Sequence, residues 1–136
     1  MKASPDAMAR TVEREFFGGS IRLHILHHAG RAPVFGAGLI EELRRHGYRV
    51  SPGTLYPILH TLERNGYLKS RVEIVGGKRR RSYVATTVGK SALRLSRPRI
   101  LELVRELFDH ESSRTRSASR SRISSHSGEA HGNHHT

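Results

Sequence analysis

The 136-residue chain is long enough for one domain of ordinary size and too short for two. Lys and Arg number 24 against 12 Asp and Glu, and the resulting formal charge of +12 favours a polyanionic partner. The absence of cysteine excludes a disulfide scaffold, a cysteine-based zinc site and thiol catalysis. Because no stretch approaches the ~20 apolar residues of a transmembrane helix and the N-terminus lacks the apolar core of a signal peptide, we expect a cytoplasmic protein with no membrane partner.

The first half of the chain predicts three helices. The first begins at about Glu13, or nearer Ser20 because two glycines interrupt its apolar face, and residues 1–14 are predicted to be flexible. The second covers about 36–46, after a very short strand at Val34-Phe35.

The start of the third helix is left open by the sequence. Ser51 is a natural N-cap and Pro52 suits the first helical position. A helix that starts there contains Pro57, which deletes a backbone hydrogen bond. The alternative is a start nearer Thr54.

A β-hairpin and a last helix are predicted next. Residues 68–74 and 79–85 form two strands around a glycine turn, and this hairpin (68–85) is called the wing below. Thr86 or Thr87 caps a helix over 87–110, kinked near Pro98. The Ser-, Arg- and His-rich residues 111–136 are predicted to be a disordered tail.

This order of elements predicts a mainly α fold with a small β-hairpin. Residues 15–86 form a winged helix-turn-helix, and 87–110 form a C-terminal dimerisation helix. In such a unit the third helix enters the major groove of double-stranded DNA, and the basic wing reaches a neighbouring groove or phosphate strand. The predicted DNA contacts are Ser51, Pro52, Gly53, Thr54, Tyr56, His60, Arg64, Lys78, Arg79, Arg80 and Arg81.

Specific motifs resemble the PadR-like family of bacterial transcriptional regulators, in its short subfamily without a separate C-terminal domain. The motifs are Val-Ser-Pro-Gly-Thr-Leu-Tyr-Pro-Ile-Leu-His-Thr-Leu-Glu (50–63), Asn-Gly-Tyr-Leu (65–68), Gly-Lys-Arg-Arg-Arg-Ser-Tyr (77–83) and Thr-Thr-Val-Gly-Lys (86–90). One departure is Gly36-Ala37-Gly38, where family members usually have Gly-Tyr-Glu.

The resemblance implies a homodimer that acts on an inverted-repeat operator in the bacterial nucleoid, usually as a repressor. It also implies that the last helix and the first make the dimer contact, and some members have a small-molecule effector. The predicted dimer interface is Phe16, Phe17, Ile100, Leu103, Val104, Leu107 and Phe108.

Other functions have less support in the sequence. It contains no catalytic constellation and no strong metal-ligand spacing, so we expect no enzyme activity, no cofactor and no metal. His24 and His28 lie one helical turn apart, but no matching ligand accompanies them on that helix, which favours a structural or surface role. The alternative function is sequence-independent nucleic-acid binding through the basic tail and the wing.

Overall fold

The computed structural model describes residues 4–123, with side chains up to residue 109. In chain order it contains α1 (Pro5–Arg31), β1 (Val34–Phe35), α2 (Gly36–Arg45), α3 (Pro52–Arg64), β2 (Leu68–Val75), β3 (Lys78–Ala85) and α4 (Thr87–Ile123). This mainly helical order with a small antiparallel sheet confirms the predicted fold class. The described residues divide into two compact units, with the boundary between residues 95 and 96. Across the described residues, every helix is too short or too polar to span a lipid bilayer.

The first helix starts earlier than the sequence predicted. The Ser4 hydroxyl accepts a hydrogen bond from the Ala7 amide at 3.2 Å, and Pro5 occupies the first helical position. Both features favour a helix start. The interrupting glycines lower helix stability by about 0.5–1 kcal/mol each, which is too little to end a helix that is already nucleated. The prediction of a flexible segment over 1–14 therefore differs from the structure from Pro5 onward.

The core of the first unit is formed by apolar side chains from α1, α2, α3 and the sheet. Each helix contributes residues three or four apart, which places them on one face. The buried apolar residues are Ile21, Ile25, Leu26, Ala29, Leu39, Leu43, Val50, Leu55, Leu59, Leu62, Leu68, Tyr83 and Ala85.

The sheet has three antiparallel strands in the order β1-β3-β2. In the wing, Leu68 pairs with Ala85 at one end and Val75 with Lys78 at the other. Gly76 and Gly77 make the two-residue turn with φ of 60° and 78°, angles that favour glycine. The predicted short strand pairs Val34 with Tyr83, so the wing is attached to the segment between α1 and α2.

The sequence left two possible starts for α3, one at Pro52 and one nearer Thr54, and the structure shows the first. The helix begins at Pro52 with Ser51 as N-cap, and Pro57 lies inside it. The amide of Leu55 donates to the Ser51 carbonyl at 2.9 Å, so regular helical hydrogen bonding is established before the proline. The missing amide of Pro57 therefore costs one hydrogen bond and does not displace the helix start.

The last helix is continuous through Pro98 and extends to Ile123. Thr86 caps it, because its hydroxyl accepts a hydrogen bond from the Gly89 amide at 3.1 Å. The sequence predicted a kink near Pro98. It also predicted a disordered tail from 111, whereas 111–123 is helical. No glycine or proline occurs between Pro98 and Gly128, and extending an existing helix needs no new nucleus. The rest of the predicted tail, 124–136, lies outside the described residues.

Candidate nucleic-acid interface

The two faces of α3 have opposite character. Leu55, Leu59 and Leu62 are buried against the core. The other face offers hydroxyl, imidazole and guanidinium groups to solvent. All the α3 residues predicted to contact DNA are exposed, namely Ser51, Pro52, Gly53, Thr54, Tyr56, His60 and Arg64. A helix held on one face and rich in donors on the other has the arrangement that groove recognition requires.

The N-terminal end of α3 is open to a ligand. The Ser51 side chain makes no capping hydrogen bond to the helix within the described residues, and its hydroxyl instead donates to Thr54 Oγ1 at 3.3 Å. The first backbone amides of the helix are therefore free of a side-chain cap. Such amides, together with the helix dipole, favour a phosphate group.

Tyr56 is held by a glycine of α2. A Cβ placed on Gly36 would lie 2.5 Å from Tyr56 Oη and 2.8 Å from Cζ, so the tyrosine ring rests directly on that backbone. The side chain nevertheless remains 40% exposed. The ring is thereby fixed in orientation while part of it stays accessible. Sequence reasoning missed this contact because the two residues are 20 positions apart.

The wing is joined to α3 by a chain of hydrogen bonds. The Glu63 carboxylate of α3 accepts from both the amide and the hydroxyl of Ser70 in β2. Arg81 of β3 donates to the same hydroxyl at 3.0 Å. Arg81 is therefore a positioning residue for the wing, although the sequence predicted it only as a DNA contact.

The other three wing residues predicted to contact DNA differ in their surroundings. The Arg80 guanidinium lies 5.9 Å from the ring centroid of Phe35, and Arg80 pairs across the strands with Glu73. Lys78 and Arg79 lie next to the turn, and within the described part of the chain their side chains make no hydrogen bond or ion pair. These two cations are the most available for phosphate contact, because no intramolecular partner competes for their charge.

Tyr83 anchors the wing to the core. Its side chain is 1% exposed, and β1 pairs with it at Val34. Burial raises the pKa of its phenol, and Arg81 nearby opposes that shift. The buried hydroxyl has no hydrogen-bond partner among the described residues. Tyr83 therefore packs the wing onto the core.

The residues predicted to form a dimer interface divide into exposed and packed positions. In the first unit, Phe16 is 69% exposed, whereas Phe17 packs against the core with its ring 5.2 Å from that of Tyr48. Phe17 thus has a packing role within one chain. In the second unit all five predicted positions are exposed apolar side chains, namely Ile100, Leu103, Val104, Leu107 and Phe108.

Comparison with known proteins gives one consistent result. The model of the Transcriptional regulator PadR-like family matches residues 25–95. Transcriptional regulator Rv3488 of Mycobacterium tuberculosis is 54% identical over 99 residues, which cover 73% of this chain and 92% of that protein. The segment that the family model matches, 25–95, contains α2, α3, the wing and the start of α4.

Solved structures are similar over most of the chain. A PadR family transcriptional regulator from Eggerthella lenta has a TM-score of 0.64 at 28% identity, and the match covers 75% of this chain and 90% of the other. A PadR-like transcription factor from Bacteroides fragilis has a TM-score of 0.63 at 26% identity, covering 74% and 97%. Both likenesses agree with the winged helix described above.

Proposed function

Because the chain belongs to the PadR-like family of DNA-binding transcriptional regulators, we propose that it is a homodimeric repressor of an inverted-repeat operator. The observation that carries this proposal is the exposed, donor-rich face of α3 beside a basic wing. The α3 face reads base edges in the major groove, and Lys78 and Arg79 of the wing neutralise phosphates of the same duplex. Because the DNA of a bacterium lies in its cytoplasm, a repressor of this kind acts there.

Specific residues have distinct roles in this proposal. Thr54 and His60 are exposed on α3, and both carry side-chain donors for base edges. The Tyr56 side chain lies against the Gly36 backbone. From this position its hydroxyl donates a hydrogen bond to a base or a phosphate. Arg64 at the end of α3 contacts the DNA backbone, where a flexible cation suffices.

Two exposed apolar surfaces support dimerisation. Met8, Val12 and Phe16 are exposed at four-residue intervals, which places them on one face of α1. In the second unit, the five predicted apolar positions of α4 also share a face and are all exposed. Apolar patches of this kind on a small domain mark interaction surfaces, and we assign both to contact with a second copy of the chain. A two-fold dimer then presents two α3 helices to two half-sites of an inverted repeat.

The alternative of sequence-independent binding rests on the net charge of +12 and the arginine-rich residues after 111. Truncation separates the two functions. The full chain and a chain ending at residue 111 are compared by gel shift on the DNA upstream of the gene, with scrambled competitor DNA. The repressor proposal predicts that the truncated chain keeps its preference for the specific fragment. Loss of all binding by a truncated chain that keeps its helical circular dichroism would favour the alternative.

A further inference from the structure

Three histidines that are distant in sequence meet in the first unit. His24 and His28 lie one turn apart on α1, and His46 is the C-cap residue of α2. The ring centroids of His24 and His46 are 4.7 Å apart, and those of His28 and His46 are 5.9 Å apart. One ring nitrogen of each residue lies within 4.8 Å of one nitrogen of both others. The sequence identified only the pair on α1, because His46 joins it through the packing of α2.

We propose that His24, His28 and His46, together with the carboxylate of Glu42, form a binding site for a divalent transition metal, with zinc as the best match. Three imidazoles and one carboxylate are a common zinc ligand set. With no cysteine in the chain, softer thiolate chemistry is excluded.

Glu42 is placed and oriented as the fourth ligand. Its Oε1 lies 3.9 Å from His28 Nε2 and 3.8 Å from His46 Nε2. Its other oxygen, Oε2, is 3.4 Å from the Arg45 guanidinium. Arg45 therefore holds one oxygen and leaves the other directed at the histidines, as an outer-shell partner does for a ligating carboxylate.

The surroundings of His24 and His28 also favour metal binding. His28 Nε2 is buried and has no hydrogen-bond partner in the described chain, and an unsatisfied buried nitrogen is costly unless something binds it. Burial lowers the pKa of both His24 and His28, and the neighbouring histidines lower it further. Glu42 opposes the lowering of the His28 pKa, whereas His27, His46 and Arg31 add to it. Neutral imidazole is the form that coordinates zinc.

Only small movements separate this cluster from zinc geometry. Zinc–nitrogen bonds of about 2.0–2.1 Å place two tetrahedral ligand atoms about 3.3 Å apart. The nitrogens must therefore close by roughly 1.5 Å, which ring rotations of three partly exposed side chains supply. An open cleft of about 390 Å³ is lined in part by His28 and Glu42 and gives an ion access to the site.

The histidine cluster lies at the turn between α2 and α3, so a bound metal affects the position of that turn. His46 begins the turn between α2 and α3, and Tyr48 in the same turn packs edge-on against His24 at 5.3 Å. Tyr48 also shares a hydrogen bond with the Ser20 hydroxyl of α1. A bound metal therefore fixes this turn against α1 and restricts the orientation of α3. We expect this restriction to change the affinity for the operator. That expectation rests on the proposed function, whereas metal binding itself does not.

The experiment titrates the full chain with zinc against a chromophoric chelator, and records the cobalt absorption spectrum as evidence of coordination. Every protein in the series carries alanine at the four tail histidines, 126, 131, 134 and 135, so that the tail contributes no binding. His28→Ala and His46→Ala are compared with His27→Ala, a histidine on the same helix outside the cluster. His46 is 43% exposed, so its substitution leaves the core intact, and circular dichroism checks the fold of each variant.

The proposal predicts one zinc per chain and a tetrahedral cobalt spectrum. It also predicts that His28→Ala, His46→Ala and Glu42→Gln each lower zinc affinity by at least the roughly 10- to 100-fold that loss of an outer-shell partner costs, because each removes a direct ligand. His27→Ala keeps the affinity of the parent. No zinc binding by the tail-substituted chain, or equal affinities for His28→Ala, His46→Ala and the parent, would overturn the site.

A second measurement tests the consequence separately, by gel shift of an operator fragment with and without zinc. We expect zinc to change the operator affinity of the parent and not that of His28→Ala. Zinc binding with an unchanged operator affinity would overturn the coupling to α3. Zinc binding by a chain with no preference for any DNA fragment would instead refute the proposed function and leave the metal site established.

Discussion

The ring of Tyr56 rests on the backbone of Gly36, so closely that a Cβ at position 36 would lie 2.5 Å from the tyrosine hydroxyl. This contact links the first residue of α2 to the exposed face of α3. It also limits position 36 to glycine for as long as Tyr56 keeps its orientation. The position of a residue assigned to DNA binding is thus set by a residue that need not touch DNA.

Gly36→Ala is expected to weaken operator binding by about 1–2 kcal/mol, because the added methyl displaces the Tyr56 ring. The variant should still fold, since the obstructing atoms are at the end of a side chain that can rotate away. Gly38→Ala is the control, because a Cβ there meets nothing within 4 Å. Gel shifts of Gly36→Ala alone and combined with Tyr56→Ala measure the coupling. Additive losses in the double variant would show that Gly36 does not act through Tyr56.

Gly89→Ala is expected to lower the free energy of unfolding by about 1–3 kcal/mol. A Cβ at this position would lie 2.2 Å from the Tyr67 carbonyl oxygen, and that carbonyl already accepts the Thr86 amide, so the backbone cannot move freely. Gly19→Ala in α1 is the control, since a Cβ there has open space, and it should stabilise the protein by about 0.5–1 kcal/mol. Urea unfolding measures both, and equal stabilities of the two variants would contradict the predicted close approach.

Arg79→Ala is expected to reduce the salt dependence of DNA binding by about 0.9 in the logarithmic slope, for specific and nonspecific DNA alike. The reason is that the Arg79 guanidinium has no intramolecular partner within the described residues, so its charge is available to a phosphate. Arg14→Ala removes the same charge from the N-terminal half of α1 and serves as the control. Fluorescence anisotropy at a series of salt concentrations gives the slope. A loss confined to one operator sequence would mean that Arg79 reads a base.

Leu103→Glu is expected to convert the dimer to a monomer, because it places a carboxylate in the exposed apolar face of α4. Arg105→Glu introduces the same group off that face and should leave the dimer intact. Sedimentation equilibrium distinguishes the two. A Leu103→Glu variant that still sediments as a dimer would exclude this face from the interface.

The sequence was sufficient where local chemistry determines structure. The glycine turn of the wing and a threonine cap at 86 or 87 were both predicted, because each depends on residues close together in the chain. Contacts between distant residues were missed, including the hydrogen-bonded chain from Glu63 through Ser70 to Arg81. The helical segments 5–12 and 111–123 were also missed, because composition was taken to indicate disorder where capping and continuation favour a helix.

Footprinting of the full chain on the DNA upstream of its gene tests the central claim most directly. The proposed repressor predicts two protected half-sites related by an inverted repeat, about one helical turn or a multiple of it apart. It also predicts that Thr54→Ala relaxes the sequence preference within each half-site. Uniform protection along the fragment, independent of sequence and unchanged in Thr54→Ala, would contradict a sequence-specific regulator.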